Sequence, residues 1–72
     1  MKKMTIWVLL KETENKCWEA TAHKRANKKE TIVIRNTIVQ NWLRGLYIEN
    51  IIDLNDYQEA SEWALNWLSK NV

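Results

Sequence analysis

The segment from Asp53 to Lys70, DLNDYQEASEWALNWLSK, carries the one unambiguous period in this sequence and constrains its fold most. At about 100° per residue, Tyr57, Ala60, Trp63, Ala64, Trp67 and Leu68 gather on one side, while Gln58, Glu59, Glu62, Asn66 and Lys70 gather on the other. This is an amphipathic helix whose apolar arc needs a partner layer. Two residues compete for its N-cap. Asp53 sets Ile52 and Tyr57 in place for a hydrophobic staple, Asn55 sets Gln58 in place for a capping box, and the staple favours Asp53. Acidic Asp56 and Glu59 near the start, and Lys70 before Asn71 at the end, complement the helix dipole.

That helix belongs to a chain of 72 residues, short enough for a single domain spanning 1–72. A chain of this size buries only about 60% of the surface that its unfolded form exposes, so large side chains compete for cover. There is no Phe but there are five Trp, at positions 7, 18, 42, 63 and 67. Each indole buries on the order of 150–250 Å² when packed, which leads us to expect that some are shared with a partner. One Gly and no Pro argue against disordered and turn-rich all-β classes. The single cysteine, Cys17, has no internal disulfide partner, and no apolar run approaches the roughly 18–20 residues of a membrane span, so the cytoplasm is the expected compartment. Lys2 and Lys3 precede an apolar stretch from Ile6 to Leu10, which falls short of the roughly 7–15 residues of a signal-peptide core and reads as a first strand.

Upstream of the helix the pattern shifts toward period two. Thr5 to Lys11 is rich in β-branched and aromatic residues, and Cys17 to Lys24 alternates Trp18, Ala20 and Ala22 against Cys17, Glu19, Thr21 and His23. The polar string from Glu12 to Lys16 reads as a hairpin loop. With Lys11 opposite Cys17, the residues Leu10, Val8 and Ile6 face Trp18, Ala20 and Ala22 on one apolar side. Lys24 to Lys29 makes the next turn, and Thr31 to Arg35 supplies a third strand whose register sets Glu19 opposite Arg35. From Asn36 the period lengthens to 3.6: Ile38, Val39, Trp42, Leu43 and Leu46 share an arc of about 140°. A helix capped by Asn36 is expected to run to about Glu49, with Asn50 left-handed and Ile51 packed on Leu46. The expected fold is α+β, a three-stranded antiparallel sheet followed by two helices packed on one face, in the order β-β-β-α-α.

Little in the sequence points to catalysis. His23 and Cys17 are the only residues of their kinds, and six strand positions separate them by roughly 20 Å. No metal is expected, because the spacings of Cys-x-x-Cys and His-x-x-x-His sites are absent. Glu59 and Glu62 lie on a solvated helix face, and a lone Gly45 excludes glycine-rich phosphate loops, so neither a cofactor nor a small-molecule substrate is indicated.

Two surface features remain. The expected alternation turns Trp7, Leu9, Val33 and Arg35 outward on the open sheet face, where a rigid aromatic rimmed by charge is suited to anchor a protein partner or a second copy. Trp67, by contrast, is assigned to the core. The second feature is basic. Residues 1–36 hold nine basic against four acidic residues, or +5, and residues 37–72 hold two against five, or −3. Lys24, Arg25, Lys28 and Lys29 are the densest cationic run, suited to a phosphate backbone or simply to a solvated turn. The expected function is therefore a small, non-catalytic binding or regulatory protein acting through protein contact or self-association. The alternative is a nucleic-acid-binding regulator using the basic 24–29 loop and the outer sheet face. No membrane association is expected.

Overall fold

The computed structural model describes residues 4–22 and 27–71, apart from the side chain of Lys28, and among these it contains three α-helices and no strand. Helix α1 spans Ile6–Ala20, α2 spans Lys28–Ile48 and α3 spans Leu54–Lys70. The expected three-stranded sheet is replaced by helix in its described parts, save Thr5, which caps α1, and Thr21 and Ala22, which turn after its end. With it go the hairpin at residues 12–16, the outer sheet face and the pairing of Glu19 with Arg35.

Helix α1 forms because Leu9, Thr13, Cys17 and Ala20, its buried residues, recur at three- and four-residue spacing. The supposed loop between them, Glu12-Thr13-Glu14-Asn15-Lys16, has no glycine to supply the positive φ of a tight hairpin, and its glutamates and lysine are good helix formers. Thr5 caps the start, its side chain accepting from the Val8 N–H. Thr13, fully buried, donates its hydroxyl to the Leu9 carbonyl at 2.7 Å, so the core holds no orphaned hydroxyl there.

Helix α2 begins eight residues before the expected start at Asn36. Asn27 is the true cap: its side chain accepts from the Glu30 N–H at 2.8 Å. The β-branched run Thr31-Ile32-Val33-Ile34 costs only a few tenths of a kcal/mol per residue in helix propensity. Burial of Thr31, Arg35, Val39 and Leu43 on one i, i+4 stripe outweighs that cost. The helix runs through exposed Gly45 and closes as expected. Asn50 has φ 61°, the Ile51 N–H donates to the Leu46 carbonyl at 2.9 Å, and the Asn50 N–H donates to the Tyr47 carbonyl at 3.0 Å. These two bonds are those of a Schellman motif. Asp53 then caps α3, accepting from the Asp56 N–H at 2.9 Å, and Ile52 before it is buried.

The helices run up, down and up. The Met4 N–H donates to the Ile51 carbonyl at 3.1 Å, which brings the start of α1 to the α2–α3 connection. At the opposite end Trp18 meets Trp67 edge to face with ring centroids 4.9 Å apart. Thus α1 and α3 are parallel and α2 is antiparallel to both. Tyr47 against Tyr57, and Gln40 against Ser61, set the α2–α3 register. All three pairs of helices touch, around a core of Leu9, Cys17, Ala20, Val39, Leu43, Ile52, Ala60, Ala64 and Leu68.

The placement of Leu9 separates this bundle from the expected sheet, where the same residue faced outward. Leu9→Ala is expected to lower unfolding free energy by about 2–5 kcal/mol, from a total of roughly 4–11 kcal/mol for a domain of this length. Urea denaturation followed by far-UV circular dichroism reads the difference. A loss below about 0.5 kcal/mol would place Leu9 on the surface.

Candidate interaction surface

The bundle leaves its largest side chains at its edges. Trp42, Trp63 and Trp67 pack on the core only partly, Trp18 is 59% exposed and Trp7 is 80% exposed. Trp67 is therefore a rim residue and not the interior residue expected from its arc. Each helix places its indoles differently. On α2, Trp42 lies beneath the Lys16 ammonium at 5.8 Å, and Lys16 also pairs with Glu19 at 3.6 Å. On α3, Trp63 and Trp67 line a small depression of about 230 Å³ with Asn66, Lys70 and Asn71.

On α1 the exposed indoles share a line. Trp7, Lys11, Glu14 and Trp18 fall within an arc of about 60° at 100° per residue, on the side away from Leu9 and Thr13. Trp7, Lys11 and Trp18 are exposed and Glu14 is half-buried. Neither Lys11 nor Glu14 forms an ion pair among the described residues. Sequence reasoning missed this stripe because period two placed Trp18 inside and Trp7 outside. The spacing 7, 11, 14, 18 was the available signal, being the spacing of one helical face.

The four residues expected on one sheet face are dispersed. Trp7 is exposed on α1, Leu9 is in the core, and Val33 is exposed on α2. Arg35 is buried and donates from its guanidinium to the Thr21 carbonyl at 2.8 Å, which ties the end of α1 to α2. Lys24 and Arg25 lie outside the described residues, Lys28 opens α2, and Lys29 is exposed in its first turn. Lys29 lines an open depression of about 490 Å³ with Glu30, Val33 and Ile34.

No three His, Cys, Asp or Glu side chains among the described residues come together as a metal site. His23 lies outside the described residues. No helix among them is long and apolar enough to cross a membrane. Cys17 is fully buried, and burial first, then the nearby Glu14 charge, raises its thiol pKa from 9.0 to about 11.

The chain matches no protein-family model. Neither the curated proteins nor the solved structures provide a match to it.

The raised thiol pKa carries a stability consequence of definite sign. Between pH 9 and about 11 the native chain retains a proton that the unfolded chain releases. The stabilisation from the neutral thiol is complete below pH 9 and is lost as pH rises toward 11. Urea midpoints taken at intervals from pH 8 to 11 should fall more steeply in the parent than in Cys17→Ala. Parallel curves would show that the thiol is solvated in the native state.

Proposed function

We propose that this chain works by binding, as a small non-catalytic protein whose exposed indole face on α1 contacts another protein chain. The observation that carries this reading is Trp7, 80% exposed on a helix whose opposite face is locked into the core through Leu9, Thr13 and Cys17. An indole offers a large flat contact area with only two side-chain torsions to order on contact, which favours binding. Tryptophan is also the residue type most enriched among interface anchors. The flanking Lys11 and Glu14 would supply the polar surround that keeps such a face soluble and orients a partner. A binding role without a chemical step is further supported by Cys17, a thiol sealed in the core and held protonated at neutral pH.

Trp7→Ser tests the reading. The variant should retain the parent's far-UV spectrum and a stability within about 0.5 kcal/mol, because the side chain lies outside the core. It should lose association, whether measured as mass by light scattering or as capture of an identified partner on the immobilised chain. Association undiminished by the substitution, or a parent that associates with nothing, overturns the proposal.

A further inference from the structure

The exposed line on α1 has a symmetry of its own. In an antiparallel pairing of α1 with α1 of another copy about a two-fold axis midway between residues 12 and 13, Trp7 stands opposite Trp18 and Lys11 stands opposite Glu14. Both pairs occur twice, since in an isologous contact each residue meets the residue that meets it. We infer that α1 is a homodimer interface in which two copies pack antiparallel along Trp7, Lys11, Glu14 and Trp18. This rests on the binding reading above and names its partner as a second copy of the chain.

Charge decides the orientation. In a parallel pairing Lys11 would face Lys11 and Glu14 would face Glu14, placing like charges together at both central positions. Antiparallel pairing replaces these with two Lys–Glu contacts beside the axis. Lys11 and Glu14 are each within about 2–3 Å of the axis level at 1.5 Å rise per residue, and both side chains can reach across the 8–10 Å between packed helices. The two charges that make no ion pair among the described residues would thereby find each other. Further out, about 8 Å from the axis level, each Trp7 meets the partner's Trp18, an aromatic pair at each end. Trp18 already rests edge-on against Trp67, so its ring is held in place before the partner arrives.

The line spans about 16 Å of helix, shorter than the face needed for a standard interface of about 800 Å² per partner. A dissociation constant in the micromolar to tens-of-micromolar range is therefore expected, weakening with salt.

Sedimentation velocity on the full chain across that concentration range, at low salt, provides the test. The parent should pass from monomer to dimer. Lys11→Glu and Glu14→Lys, each alone, place like charges at both central contacts and should raise the dissociation constant roughly tenfold or more. An equimolar mixture of these two variants restores both opposite-charge contacts and should dimerise like the parent, as should the chain carrying both reversals. Far-UV spectra should be unchanged throughout, since the substitutions exchange helix formers on the outer face of α1. If the single variants dimerise as well as the parent, or their mixture no better than each alone, the antiparallel α1 interface is wrong. Should the parent stay monomeric while a Trp7-dependent partner is captured, the dimer falls and the binding reading stands. If no Trp7-dependent association of any kind is seen, both fall.

Discussion

Close approach of three helices, permitted by small side chains at their shared seam, is the constraint on which the rest of this molecule depends. Ala20, Ala60 and Ala64 are fully buried, and with Cys17 and Val39 they leave room in the interior only for aliphatic residues of modest size. An indole at the centre would force the helix axes apart and strip the aliphatic contacts from the seam. All five tryptophans are therefore displaced to the edges of the core or beyond it. Three cover its rims, and two stand largely in solvent on α1. The surface proposed for binding is thus the counterpart of the way the core is packed.

Polar contacts then fix the arrangement that the apolar core only approximates. Alanine and leucine stripes tolerate sliding along a helix, whereas hydrogen bonds do not. The Ser61 hydroxyl donates to Gln40 Oε1 at 2.6 Å, while Gln40 Nε2 donates to Asn36 Oδ1 at 3.1 Å. This chain of amide and hydroxyl groups spans the α2–α3 contact and sets its register. At the far end, the buried Arg35 guanidinium engages the Thr21 carbonyl, one of the acceptors left over where α1 ends. A cation at a helix C-terminus is also favoured by the helix dipole. Arg35, expected as a surface anchor, is in this way a structural tie between two elements.

The sheet that periodicity suggested failed for a reason visible in particular residues. Ile6 to Leu10 is five apolar residues in a row, a pattern equally compatible with a strand or with a helix turn that shows apolar groups all round. Trp18, Ala20 and Ala22 alternate, yet of these only Ala20 is buried. Thr31 to Ile34 reads as strand by β-branched content, although that preference amounts to tenths of a kcal/mol per residue and is reversed by packing. The opposition of Glu19 and Arg35 was a coincidence of register. Glu19 in fact pairs with Lys16 one turn earlier. What period two lacked was a strong turn: the stretch from Glu12 to Lys16 holds no glycine, and only Asn15 there takes up positive φ readily.

The sequence alone determined α3 from its Asp53 cap to Lys70, the left-handed close of α2 at Asn50, and the surplus of indoles over the cover a short chain can provide. These are local features, set by side-chain hydrogen bonds within one turn, by backbone sterics and by composition. Only the tertiary structure decided that residues 6–20 and 28–35 are helical and that Leu9 and Arg35 are buried. It alone brought Trp7 and Trp18 onto one exposed line. A segment whose local preference is nearly balanced takes the period that lets its buried residues meet the rest of the core. The stripe from Leu9 to Ala20 meets α2 and α3 at 3.6 residues per turn, and at a period of two it would not.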